Sequence, residues 1–350
     1  MQKRRLGRSD LFVTPLCLGT MTYGQQTDAT EAFSILDHAV GLGINFIDTA
    51  EMYPVPPKRE TQGATETIIG DWLAARGRRN DLILATKVCG RSTNDWFRDD
   101  GAPTRLTRSQ IFEAVEKSLR RLRTDHIDLY QIHWPDRVVS DWGTMPSRFK
   151  PFTPAADETA IGETAAAFAE LIAAGKVRHF GLSNESPYGL MRFIVAAEHG
   201  NGPRPVSVQN AYSLVNRTWE GGLAEIALRE DIGLLPYSPL AQGYLTGKYR
   251  NGALPAMSRK ALFNRLQRYE KPHADAAIGA YVDLAHRFGA DPVTFAIAFA
   301  MNQPTVASVI IGPSAEDQLA QNLAAATFDW TGEMQAAADD LHQRFGNPCP

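Results

Sequence analysis

At 350 residues, with 44% hydrophobic and 21% charged side chains, the chain has the composition of an ordinary globular protein with a large core. A formal net charge of −3 gives no electrostatic reason to expect nucleic acid or an anionic membrane as partner, and no apolar run approaches the ~20 residues that span a bilayer. Three scattered cysteines, Cys17, Cys89 and Cys349, argue against a disulfide framework or a zinc site, so no metal is expected and a reducing, cytoplasmic setting is.

In chain order, residues 3–6 and 11–13 around Gly7-Arg-Ser-Asp10 predict a β-hairpin. Short β-rich apolar runs follow at 13–18, 45–48, 82–87, 127–133, 177–182, 206–210, 233–237 and 307–311, alternating with amphipathic stretches. Asp28 or Thr30 starts the first helix, which carries Ile35, Leu36 and Ala39 inward and ends at Gly41 and Gly43. Thr107-Arg-Ser-Gln110 reads as a capping box ahead of an apolar stripe of Ile111, Val115, Leu119 and Leu122. The basic clusters Arg76-Gly-Arg-Arg79 and Arg120-Arg-Leu-Arg123 fall at predicted helix ends, where cations favour the helix dipole.

Eight strands alternating with helices predict an α/β fold, a parallel (β/α)8 TIM barrel. It would form one domain over 1–350, with the hairpin closing its floor and long loops on its rim. The rival is a doubly wound sheet, but the first strand leads into Leu18-Gly19-Thr-Met-Thr-Tyr-Gly24 and lacks Gly-x-Gly-x-x-Gly.

In a barrel of this kind the chemistry sits at the C-terminal strand ends. Asp48 closes the second strand, Lys87 the third and His133 the fourth; Ser183-Asn184 follow the fifth. Gln209-Asn210 end the sixth, Tyr237-Ser238 the seventh, and Gly312-Pro-Ser314 follow the eighth. Beside this rim, Tyr53 lies five residues after Asp48. A free tyrosine has a pKa near ~10, and a nearby ammonium favours its phenolate; a carboxylate beside that ammonium keeps it charged and fixed. Together with an imidazole, such a set can protonate an oxygen that gains negative charge. Each residue also has a plainer reading: Asp48 as a turn cap, Lys87 as a rim salt bridge, His133 as a satisfied buried histidine, Tyr53 as an amphipathic lid. A further reading makes Lys87 a Schiff-base nucleophile.

The stretch Gly43-Ile-Asn-Phe-Ile-Asp48-Thr-Ala-Glu-Met-Tyr53, with Leu84-Ala-Thr-Lys87, Asp128-Leu-Tyr-Gln-Ile-His133, Gly181-Leu-Ser-Asn184 and Tyr237-Ser-Pro-Leu-Ala-Gln-Gly-Tyr-Leu-Thr-Gly-Lys248, closely resembles the aldo-keto reductases. Ala50-Glu-Met-Tyr-Pro-Val-Pro-Pro57 and Thr61-Gln-Gly look most like the bacterial Tas-type members; potassium-channel β subunits are more distant relatives.

The resemblance implies NADPH-dependent reduction of an aldehyde or ketone, a small-molecule carbonyl substrate. By that analogy Tyr53 protonates the carbonyl oxygen, Lys87 lowers its pKa, Asp48 pairs with Lys87, and His133 orients the carbonyl. Ser183, Asn184 and Gln209 would hold the nicotinamide amide and Tyr237 would stack on its ring. Thr20, Met21 and, more weakly, Gln26 resemble cofactor contacts after the first strand. Ser238, Pro239, Leu240, Ala241, Gln242 and Gly243 resemble the pyrophosphate loop, where Lys248 supplies a point charge, and Arg259 the 2'-phosphate contact.

Gly312 and Ser314 fall at a helix N-terminus suited to a phosphate, although Ser314-Ala-Glu-Asp317 is equally a plain capping box. Gln318 and Asn322 match the adenine-contacting positions, and Gln321 stands where a glutamate is often found. Trp96, Phe97, Trp134, Trp142, Phe345 and Pro350 fall on rim segments and would favour an apolar or aromatic substrate, or would simply pack under loops. The alternative function is a slowly turning nicotinamide-binding sensor or interaction subunit.

Overall fold

The computed structural model describes residues 1–139, 151–264 and 267–349; Trp142 and Pro350 lie outside them. The hairpin forms from β1 (Arg4–Arg5) and β2 (Phe12–Val13), antiparallel, with Arg5 opposite Phe12. Then come β3 (Leu16–Gly19), β4 (Phe46–Asp48), β5 (Ile83–Val88), β6 (Ile127–Ile132), β7 (Val177–Ser183), β8 (Ser207–Gln209), β9 (Gly233–Leu234) and β10 (Val309–Ile311), parallel in the order β10-β3-β4-β5-β6-β7-β8-β9. The Leu234 amide donates to Thr305 O at 2.8 Å and the Ile310 amide to Pro236 O at 2.9 Å, which joins β9 to the approach of β10 and closes the eight-stranded barrel. All eight predicted runs coincide with a barrel strand, and β3, β5 and β7 each extend one residue past the predicted end. The first starts at Leu16 rather than Val13, because Val13 pairs in the hairpin and Pro15 has no N–H to donate to a ladder.

Helices α1 (Ala29–Gly41), α2 (Ala64–Arg76), α3 (Arg108–Leu122), α4 (Ile161–Ala173), α5 (Pro187–Glu198), α6 (Leu223–Glu230), α7 (Arg259–Phe263), α8 (Ala274–Arg287), α9 (Pro292–Met301), α10 (Glu316–Leu323) and α11 (Gly332–Phe345) complete the fold. Their ends follow local chemistry. Asp28 caps α1 by accepting from the Glu31 amide, and the Thr107 hydroxyl caps α3 by accepting from the Gln110 amide. The capping box at α3 is only half made, since Gln110 turns its carbonyl to the Arg105 amide at 2.7 Å. The predicted box at Ser314 does not form: α10 begins at Glu316 after Ala315, and Ser314 bonds the Gln318 side chain instead. The basic clusters are ion-paired: Arg76 with Asp37, Arg79 with Asp128, Arg121 with Glu66 and Arg123 with Asp71.

Two apolar layers result. The larger packs helices on the outer strand face, including the predicted stripe of α3. The smaller fills the barrel interior with Cys17, Phe46, Ile83, Ala85, Leu129 and Ile310, and Leu6, Leu11 and Val13 of the hairpin segment plug its floor. Strand side chains alternate faces, so the inward rows that begin as Phe46, Ala85 and Leu129 end two residues later as Asp48, Lys87 and Gln131. The apolar plug below and the polar layer above come from the same alternation.

Candidate active site

The polar layer is one connected network. Lys87 Nζ donates to Asp48 Oδ2 at 2.6 Å and to Thr49 O at 2.8 Å, and lies 3.5 Å from the Tyr53 hydroxyl. The other Asp48 oxygen accepts from Gln131 Nε2 at 3.0 Å and Gln209 Nε2 at 2.9 Å. Gly181 of β7, paired with Gln131 of β6, makes the interior wide enough: a Cβ there would stand 2.6 Å from Ser207 Oγ and 3.1 Å from Gln131 Cγ. Lys87 is fully buried, so it is no rim salt bridge. Although burial works against the ammonium, Asp48 and the Tyr53 oxygen hold the Lys87 pKa above its ordinary value, which leaves no free amine for Schiff-base attack.

Tyr53 departs from the expected direction. Burial lifts the phenol above its usual pKa and outweighs the downward pull of Lys87, so the group is a retained proton rather than a ready phenolate. Its ring stands edge-on to the His133 imidazole, centroids 5.6 Å apart. His133 directly follows β6, its amide donating to Val88 O at 2.8 Å, and its Nδ1 is buried with no hydrogen-bond partner among the described residues, which removes the reading of a satisfied core histidine. Burial, then the Lys87 cation, holds the imidazole well below its ordinary pKa of 6.5.

That depression has a stability consequence. Below about pH 6.5 the unfolded histidine takes up a proton that the folded one refuses, so stability falls as pH drops through this range. A His133→Asn variant is expected to lose this part of the slope, up to about 1.4 kcal/mol per pH unit, measured by urea midpoints from about pH 7 to pH 5.

The remaining strand ends close around the same space. Tyr237 OH donates to Asn184 Oδ1 at 2.7 Å, Asn184 Nδ2 donates to His133 O at 2.8 Å, and Ser183 Oγ donates to Gln209 O at 2.7 Å. Asn184 and Ser238 hold positive φ, a backbone cost that clusters at functional sites. Thr20 ties to Asp48 O through both its amide and its hydroxyl, and Met21 O accepts from the Val55 amide at 2.9 Å.

After β9, Pro239 and Leu240 lead into Ala241, Gln242 and Gly243, which have φ of 49°, 55° and 100°. At Gly243 a Cβ would stand 2.7 Å from Lys248 Cε, so the lysine lies directly across bare backbone. Lys248 is pulled below its usual pKa by partial burial and then by a second cation, Arg259 at the start of α7. Two cations beside the left-handed backbone of 241–243 fit a bound phosphate, whose charge would relieve their repulsion.

Other predicted positions are placed less simply. Gln26 Nε2 reaches Ser314 Oγ at 3.5 Å, and Gly312 is exposed beside them. Gln318 turns to Ser314, Asn322 is buried, and Gln321 is directed away, onto the Asp291 carboxylate. Among the aromatics, Phe97 belongs to a small buried cluster with Cys89 and Trp134, while Trp96 stacks on it half-exposed. Trp134 borders the His133 ring at 4.9 Å. Phe345 ends α11, and beyond it Asn347 accepts from the Arg217 amide at 2.5 Å.

Sequence reading missed Gln131, although its place two residues before His133 puts it on the same inward face. It also missed Arg268, whose guanidinium hydrogen-bonds Tyr237 and Tyr269; no local pattern marks that contact. Among the described residues, no group of three or more His, Cys, Asp or Glu side chains could hold a metal ion, and no helix is long and apolar enough to cross a membrane.

Comparison with known proteins gives a match to the family model described as Aldo/keto reductase family over residues 15–343. Protein tas of Escherichia coli (strain K12) is 46% identical over 352 residues, covering 100% of both chains. A Bacillus subtilis (strain 168) protein named Uncharacterized oxidoreductase YrpG is 33% identical over 353 residues, covering 100% of this chain and 98% of its own. An Arabidopsis thaliana protein named Probable voltage-gated potassium channel subunit beta is 32% identical over 333 residues, covering 93% and 91%.

Proposed function

Since the chain belongs to the aldo/keto reductase family, whose chemistry is oxidoreduction with a nicotinamide cofactor, we propose that it uses NADPH to reduce the carbonyl of an aldehyde or ketone to an alcohol. The observation that carries this reading is the buried ammonium of Lys87 placed 3.5 Å from a protonated Tyr53 phenol. The reduced nicotinamide would supply the hydride to the carbonyl carbon. Tyr53 gives its proton to the carbonyl oxygen as charge develops there, Lys87 stabilises the phenolate that is left, and solvent returns the proton afterwards. Asp48, held by two glutamine amides, keeps Lys87 charged and aimed. His133, neutral, offers a ring N–H to the same oxygen. In the reduction direction the raised phenol pKa is an asset, because the acid is fully protonated at neutral pH.

For the cofactor, Ser183, Asn184 and Gln209 would take the nicotinamide amide and Tyr237 its ring. The backbone of 238–243 with Lys248 would take the pyrophosphate, Arg259 the 2'-phosphate, and Gln318 and Asn322 the adenosine. Thr20, Met21, Gly312 and Ser314 would line the approach. Gln321 would have to leave Asp291 to join them. An apolar or aromatic carbonyl suits the wall formed by Trp96 and Trp134. Buried, unpaired Cys17, Cys89 and Cys349 suit a cytoplasmic setting.

Purified protein is expected to oxidise NADPH with 4-nitrobenzaldehyde or methylglyoxal, followed by loss of cofactor absorbance; inactivity across such a panel, with NADPH bound, would favour the sensor reading instead. The channel-subunit relative is what keeps that second reading in play. Arg259→Ala is expected to weaken NADPH by roughly 10- to 100-fold, the value of one charge-assisted contact, and NADH hardly at all. Equal weakening of both nucleotides in a fluorescence titration would remove the 2'-phosphate role.

A further inference from the structure

A second buried ion pair lies beside the first, and the reaction scheme does not use it. Glu51, two residues before Tyr53, accepts from Arg98 Nη1 at 2.9 Å and Nη2 at 3.0 Å, a two-point fork with both side chains essentially excluded from solvent. Glu51 Oε1 also accepts from the Cys89 amide at 2.7 Å. The Glu51 backbone is tied down as well: its amide donates to Lys87 O at 3.2 Å and its carbonyl accepts from Gln62 Nε2 at 2.6 Å. Arg98 comes from the long segment between β5 and α3, which also carries Trp96 and Phe97. That segment is anchored near its ends, where Thr104 Oγ1 donates to Gly90 O at 2.6 Å and the Leu106 amide to Asp136 Oδ2 at 2.7 Å. Arg98 anchors its middle.

Stability alone does not account for two charges at this place. Removing a carboxylate and a guanidinium from water is costly, and well-packed apolar residues of similar volume usually serve as well or better. What an apolar pair cannot supply is direction. A planar guanidinium on a carboxylate fixes distance and angle together. Here the fixed parts are the loop bearing the proposed acid and the loop bearing the aromatic wall.

We propose that Glu51 and Arg98 are a positioning pair, which locks the Tyr53 loop to the segment after β5 and so sets the phenol and the Trp96 wall in one arrangement around the substrate carbonyl. This rests on the carbonyl-reductase reading above. Neither residue touches the reacting atoms. Their effect passes through the backbone of 51–53 and through Phe97, which packs with Cys89 and Trp134.

Two variants test it. Arg98→Lys keeps the charge but loses the fork. Glu51→Gln with Arg98→Met removes the pair without leaving a buried charge unmatched. With activity counted per NADPH-binding molecule, both are expected to keep NADPH affinity while kcat falls by ~10- to 100-fold, the usual effect of a small misplacement of a reacting group.

Hydrogen exchange supplies a readout independent of turnover. The peptide containing Glu51 and Tyr53 and the Cys89 amide should lose protection, while the β6 peptide 127–132 keeps it. A double variant with kcat within about twofold of the parent, or with unchanged exchange at Glu51, Tyr53 and Cys89, overturns the proposal. A parent that reduces no carbonyl overturns the reaction reading alone, because the exchange result still decides whether the pair locks the loops.

Discussion

Replacing Tyr53 by phenylalanine is expected to lower kcat for carbonyl reduction by ~10²- to 10⁴-fold, the range that a positioned general acid contributes, while NADPH affinity stays at the parent value. The ring remains: its edge-on contact with His133 and its place beside the Lys87 ammonium do not need the hydroxyl. Stability should change little, since the oxygen that is removed has one long hydrogen bond, 3.5 Å to Lys87. A second sign of the role lies in the pH profile. The alkaline fall of kcat/KM, where the phenol gives up its proton, should be missing from the residual rate of Tyr53→Phe. An unchanged kcat would sink the proton-donor assignment; a parallel loss of NADPH binding would point to a collapsed site instead.

Asp48, Lys87 and His133 could be placed on one rim because strand alternation and the barrel rule act locally: each is the last inward residue of an apolar run. The barrel itself was legible for the same reason, from eight runs spaced by amphipathic helices. The direction of the Tyr53 shift was not legible. It is a difference between burial and the Lys87 field, and burial depends on how the Tyr53 loop lies under its neighbours. Arg98 and Glu51 were invisible as a pair because they join two loops from different βα units. Ser314 failed differently: its sequence satisfies a capping rule, but Ala315 takes an extended conformation and the helix starts one residue later than that rule needs.

The second large effect falls on stability. Asp48→Asn leaves the Lys87 ammonium buried without its counter-charge, its remaining partners Thr49 O and the Tyr53 hydroxyl both uncharged, and is expected to cost about 3–5 kcal/mol at neutral pH. The pH dependence should reverse. In the parent, the folded Lys87 pKa is above its ordinary 10.5, so its contribution is fully present below that value and is lost as pH rises through the folded pKa. In Asp48→Asn, desolvation is expected to outweigh the remaining pull of the Tyr53 oxygen, so that the folded pKa falls below the unfolded one. The unfolded chain then binds the extra proton, and the variant gains stability as pH rises towards 10.5.

Adding Lys87→Met to Asp48→Asn should restore most of the lost stability, since no buried charge is left and the asparagine carbonyl still accepts from Gln131 and Gln209. Activity should not return with it, because nothing remains to stabilise the phenolate of Tyr53. Urea midpoints at about pH 7 and about pH 10, set beside kcat for the single and double variants, separate the two roles of this ion pair. Recovery of activity in the double variant would mean that Lys87 serves the fold and not the proton transfer.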